Sequence, residues 1–141
     1  QEDKINEQNK ELLKIKSEEE ERKRKEKKKE NQRLNEVLIN EMLKKGSFPI
    51  LKFTHNDISK QFEVNKPILK VGREKETNDI CIANNNISRN HFTINFKDGK
   101  YTIIDNNSTN GILVNGRKLK ESVLNNADII NIADITLIFY E

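Results

Sequence analysis

Ser88, Arg89 and His91 fall within four residues of one another in the stretch Asn84–Phe92, NNNISRNHF. A hydroxyl, a guanidinium and an imidazole so close together could form an active site, capture an anion, or simply furnish a polar turn. Catalysis has the weakest support. On a loop entering a strand, Ser88 and His91 point in unhelpful relative directions, no Gly-x-Ser-x-Gly elbow surrounds the serine, and no acid is marked as the third member of a triad. His55, His91 and Cys81 lack the spacing of metal ligands. A Walker loop and a Gly-x-Gly-x-x-Gly turn are both absent from the sequence. The expectation is a chain with no catalytic residue, no metal and no cofactor.

Anion capture fares better. Arg73, Ser88, Arg89, Ser108, Thr109 and Asn110 all occur at turns that a β-sandwich would gather at one end. A phosphate dianion needs planar guanidinium donors, hydroxyl donors for its remaining lone pairs, and little nearby negative charge. On composition alone the plainer reading has the stronger claim, with serines and asparagines capping turns and the arginines solvated.

The elements that would have to position these groups change character along the chain. Residues 1–45 read as a charged helix. Nothing from Lys16 to Arg33 is apolar, yet Glu18–Arg22, Glu19–Lys23, Glu20–Arg24 and Glu21–Lys25 form four successive i,i+4 pairs. Apolar residues sit only towards its ends, at Ile5, Leu12, Leu13 and Ile15 and again from Leu34 to Leu43. The seam of a coiled coil is therefore broken in the middle, which favours a solvated helix, although the end patches could support weak self-association. Lys44–Lys45–Gly46, with Pro49 beyond, marks its stop. Residues 46–141 instead alternate with a period of two, in short runs such as FTINF and YTIID, separated by His55–Asn56–Asp57, Asp98–Gly99, Asn110–Gly111, Asn115–Gly116 and Asn125–Asn126. That pattern predicts an all-β domain, an antiparallel sandwich or barrel, with Asp98–Gly99 as its cleanest hairpin.

Composition narrows the partners. The first 45 residues carry 14 Lys+Arg against 12 Asp+Glu, and the remaining 96 carry 12 against 11. With no clustered excess of cations in either half, nucleic acid is not the expected partner. The single cysteine, Cys81, excludes a disulfide framework, and no apolar run approaches the ~20 residues of a membrane span. The expected location is intracellular, in cytoplasm or nucleus. Because the chain opens on Gln1, it reads as a piece of something longer.

Four separated blocks shift the balance at the polar turns: Ile68–Leu69–Lys70–Val71–Gly72–Arg73, Asn78–Asp79–Ile80, Ile87–Ser88–Arg89–Asn90–His91–Phe92, and Asp105 to Gly116, DNNSTNGILVNG. In order and spacing they resemble the forkhead-associated (FHA) domain. The similarity covers approximately residues 48–141 and leaves the helix unexplained. It implies an FHA-like antiparallel β-sandwich of about eleven strands whose loops at one end bind phosphothreonine peptides without catalysis. Carried over residue by residue, it implies that Arg73 contacts the phosphate or braces the loops that do, and that Ser88 donates its hydroxyl to a phosphate oxygen. Arg89 occupies a phosphate-contacting position, Thr109 reaches the phosphate, and Asn110 holds the peptide main chain. Gly72 keeps the backbone compact, His91 is a buttress that holds Ser88, and Gly111, Asn115 and Gly116 support the turns. Ser108 and Asp105 set their loop. The expected function is a phosphothreonine-binding adaptor with a phosphorylated protein as partner. The alternative is a structural or oligomerisation protein that works through the helix, with the sandwich as a phosphate-independent docking surface.

Overall fold

The computed structural model describes the backbone of residues 2–141 and the side chains of residues 18–25 and 27–141. The chain divides into two compact units, Gln1–Glu36 and Val37–Glu141. One helix, α1 (Glu2–Lys44), supplies the first unit and the beginning of the second. The described side chains from Glu18 to Glu36 are exposed on every face. Of the four expected i,i+4 pairs only Glu21–Lys25 closes, at 3.9 Å. Exposed pairs gain little Coulomb energy in water and must freeze two long side chains, so the other three stay solvated.

The last turns of α1 behave differently, because here apolar residues recur at helical spacing. Met42 is fully buried in the core of the second unit, with Leu38 and Ile39 packed beside it. The helix ends as its sequence predicts, with Gly46 at φ 118° and its N–H donated to the Leu43 carbonyl. Lys45 then clasps the sandwich. Its ammonium donates to the Gly99 carbonyl, lies 3.7 Å from the Glu141 carboxylate and stands 5.9 Å from the centre of the Phe96 ring.

Eleven strands follow: β1 (Ile50–His55), β2 (Ile58–Glu63), β3 (Ile68–Gly72), β4 (Ile80–Cys81), β5 (Phe92–Lys97), β6 (Lys100–Asp105), β7 (Leu113–Val114), β8 (Arg117–Lys118), β9 (Glu121–Val123), β10 (Asp128–Ile132) and β11 (Ile135–Tyr140). They form a six-stranded sheet in the order β2-β1-β11-β10-β7-β8 and a five-stranded sheet in the order β4-β3-β5-β6-β9. Alternation decides which faces meet: Phe92, Ile94 and Phe96 of β5 and Ile135, Leu137 and Phe139 of β11 are buried while their neighbours are not. Asn56–Asp57, Asp98–Gly99 and Asn115–Gly116 each place two successive residues at positive φ, which is what two-residue hairpins require.

The fold class is the expected sandwich, with three local differences. β3 and β4 pair in parallel, Val71 opposite Ile80, because the 73–79 loop crosses over and returns in the same direction. β8 and β9 have no apolar alternation of their own. They are held by pairing, Leu113 with Lys118 and Ile103 with Ser122. A further turn, at Ala133, adopts φ 55° in the left-handed region with no Gly or Asn to announce it.

Candidate functional site

Three connections meet at one end of the sandwich: β3 to β4 (residues 73–79), β4 to β5 (82–91) and β6 to β7 (106–112). Backbone hydrogen bonds tie the first two together. Arg73 N–H donates to the Ser88 carbonyl at 3.0 Å and Glu74 N–H to the Arg89 carbonyl at 3.2 Å. The approach is so close that a Cβ on Gly72 would lie 2.2 Å from the Arg89 carbonyl oxygen. Gly72 is thus a requirement of packing rather than of dihedral angle, and it places Arg73 directly beside Ser88–Arg89.

Asn78 completes this clamp. Its amide donates to the carbonyls of Glu74 and Arg89, each at 2.6 Å, while Thr77 Oγ1 donates to Asn90 Oδ1 at 2.9 Å. Asp79 fixes the far end of the loop. Its carboxylate accepts from Lys66 Nζ at 2.6 Å and from Lys70 N–H at 2.9 Å. Burial by itself would raise the Asp79 pKa, but these two donors and the charges of Lys66 and Lys70 outweigh it and hold the group below its ordinary value.

His91 links the second and third connections. It is fully buried, accepts the Ser88 N–H at Nδ1 (3.1 Å), and has Nε2 2.8 Å from the Gly111 carbonyl. Those two partners require the neutral tautomer with its proton on Nε2. Ser88 is half-buried, and its Oγ accepts the Thr109 N–H at 3.0 Å, which leaves the hydroxyl proton free to donate. Asn110 donates its amide to the Asn86 carbonyl at 2.7 Å. Asp105 Oδ1 accepts both the N–H (3.3 Å) and the hydroxyl (2.5 Å) of Ser108, and Asn107 takes φ 54° to let the loop turn. Asn115 lies away from this cluster. With Gly116 it closes the β7–β8 hairpin and exchanges hydrogen bonds with Asp128 and Ile129.

The structure therefore brings together Arg73, Ser88, Arg89, Thr109 and Asn110, with Gly72, His91 and Gly111 beneath them, and leaves Asn115 and Gly116 at a neighbouring turn. Arg73, Arg89, Thr109 and Asn110 are exposed, and among the described residues neither arginine forms an ion pair. Two exposed arginines without an ion pair among the described residues thus share one backbone-stitched loop end with Ser88, whose Oγ is joined to the Thr109 N–H. Among the described residues no set of three His, Cys, Asp or Glu side chains gathers as metal ligands, and no helix is long and apolar enough to cross a membrane.

The sequence did not signal the clamp of Asn78, the partner carbonyl of Asn86 or the Thr77–Asn90 contact. Asn78–Asp79 was visible as a motif, but no spacing rule tells that an amide there will hold two carbonyls of different loops.

Comparison with known proteins agrees with this architecture. The family model described as "FHA domain" matches residues 69–133, which contains every residue of the cluster. The oxoglutarate dehydrogenase inhibitor of Corynebacterium diphtheriae is 31% identical over 81 residues, 57% of this chain, and the match spans only 56% of that relative's length. The structure of the FHA domain of CT664 protein from Chlamydia trachomatis superposes with a TM-score of 0.63 at 26% identity, over 67% of this chain and 98% of the other. The structure of Mycobacterium tuberculosis EmbR in complex with a low-affinity phosphopeptide gives a TM-score of 0.59 at 26% identity, over 64% of this chain and 24% of that one. Residues 69–133 of this chain match the FHA domain family, and its two facing sheets with their three stitched loops have the fold of a solved FHA domain.

Proposed function

We propose that this domain is an adaptor module that binds phosphothreonine in a partner protein. The observation that carries the reading is the hydrogen bond from Thr109 N–H to Ser88 Oγ, on a loop end that also holds Arg73 and Arg89, two exposed arginines with no ion pair among the described residues. A phosphothreonine brings roughly −1.5 to −2 charges and three acceptor oxygens. Arg73 and Arg89 supply charge and planar donors, and the free hydroxyl proton of Ser88 and the Thr109 hydroxyl supply the remaining donors. Asn110, already oriented by Asn86, keeps Oδ1 and one amide proton for the peptide main chain. His91 and Gly72 act beneath the surface as positioning residues. The phosphopeptide held by EmbR, a relative in fold, supports the reading of this domain as a phosphopeptide binder.

On this reading the chain performs no chemistry of its own. It reads a modification made by another protein, in a cytoplasmic or nuclear setting compatible with one free thiol. Titration of a phosphothreonine peptide and its dephosphorylated twin tests the proposal, first with a mixed-sequence library and then with single peptides. The phosphorylated form binds, the twin does not, and Arg73→Ala removes the difference. Equal binding of both forms by the wild-type chain would refute it.

A further inference from the structure

We propose that Lys118 is a second anion-reading point beside the phosphate site, and that the peptides this domain prefers carry an acidic side chain close to the phosphothreonine. The inference rests on the phosphothreonine reading above and deepens it. Lys118 lies on β8, at the edge of the six-stranded sheet, yet its side chain does not simply extend into solvent. Its stem lies across Gly111, where a Cβ would be 2.9 Å from Lys118 Cε and 3.7 Å from Nζ. Gly111 follows Asn110 directly, and its carbonyl is the one that His91 holds. The ammonium is thereby kept next to the loop that presents Thr109 and Asn110, in a position that exists because residue 111 has no side chain.

A concavity of about 450 Å³ opens at this point, walled in part by Asn107, Ser108, Lys118 and Lys120. Its one carboxylate, Asp105, is already committed through Oδ1 to the N–H and hydroxyl of Ser108. Neither Lys118 nor Lys120 forms an ion pair among the described residues. Two lysines and one carboxylate therefore line the concavity, and the surplus positive charge borders the site. Stem packing on Gly111 would be served equally by an uncharged side chain; the ammonium at its end has no acceptor until a ligand brings one. The chemistry that fits is a carboxylate on a residue flanking the phosphothreonine.

Pairs of phosphothreonine peptides that differ only by Asp against Asn, with the substitution moved along the positions on either side of the phosphothreonine, test this. The wild-type chain favours Asp by roughly two- to five-fold at one or more positions, the range of an exposed ion pair, and the preference shrinks at ~0.5 M salt. Lys118→Met, which keeps the stem on Gly111, loses the preference, and Lys118→Arg keeps it. The inference is overturned if the wild-type chain shows no preference at any position, or if the preference survives in Lys118→Met. Dephosphorylated controls separate the two levels: equal binding with and without the phosphate would sink the phosphothreonine reading itself, whereas phosphate-dependent binding without an Asp preference sinks only the role of Lys118.

Discussion

A methyl group at position 72 has nowhere to go. It would meet the Arg89 carbonyl at 2.2 Å, and that carbonyl is fixed by Glu74 N–H and Asn78. Gly72→Ala therefore pushes the two loops apart, costing about 1–3 kcal/mol, and weakens phosphopeptide binding as Arg73 and Ser88 separate. Urea unfolding and peptide titration of the same variant check both effects. His91 offers the complementary case. His91→Ala leaves the Ser88 N–H and the Gly111 carbonyl without their partner, at about 1–3 kcal/mol. Affinity should fall along with stability; a variant that loses stability but keeps full affinity would remove His91 from its positioning role.

Among the elements, the end of α1 and the 73–79 loop make the clearest demands. Met42 is fully buried against the sandwich, so Met42→Ala should cost about 2–5 kcal/mol in denaturant unfolding, although it sits on a helix that otherwise looks solvated. Asp79 predicts a pH effect whose sign follows from its pKa. Because the folded value lies below 3.8, its stabilisation is present above the unfolded value and is lost as pH falls through the folded one. The stability gap between wild type and Asp79→Asn should thus be open at neutral pH and close on acidification, as the pH falls from the ordinary carboxylate value through the lower folded one. The same scale shows what the sequence made legible. Strands such as β5 and β11 announce themselves because alternation is enforced by burial on one face, and Asp98–Gly99 because a two-residue hairpin needs positive φ twice. β8 and β9 were invisible because their polar residues are strands only by virtue of their neighbours. The residues gathered at the loop end stood out through an ordered set of motifs; the clamp of Asn78 did not, since its partners are carbonyls that every residue possesses.

At the scale of the molecule the core is one continuous packing of both sheets with the helix end, and Tyr101 lies within it against Phe96 and Phe139. Burial, and then the Glu141 charge, pushes its phenol up to about 12. The neutral ring is what the fold accommodates, so this contribution is intact below the unfolded value near 10 and lost as pH rises through the folded one. Thermal unfolding followed from pH 9 to 12 should show wild type losing stability faster than Tyr101→Phe over the upper part of that range. Parallel curves would mean that the phenol is not desolvated.

The side chains that stitch the loops reach for main-chain atoms. His91 holds an N–H and a carbonyl, Asn78 holds two carbonyls, and Asn110 holds one. A carbonyl is indifferent to the side chain borne by its own residue, so the stitches through Asn86 and Arg89 do not depend on those two side chains, and Arg89 is left to answer only to the ligand. The end of the sandwich is then a frame with replaceable lettering: a handful of fixed residues keeps the loops in place while the exposed positions between them are free to diversify, and new peptide preferences can arise without the fold having to be solved again.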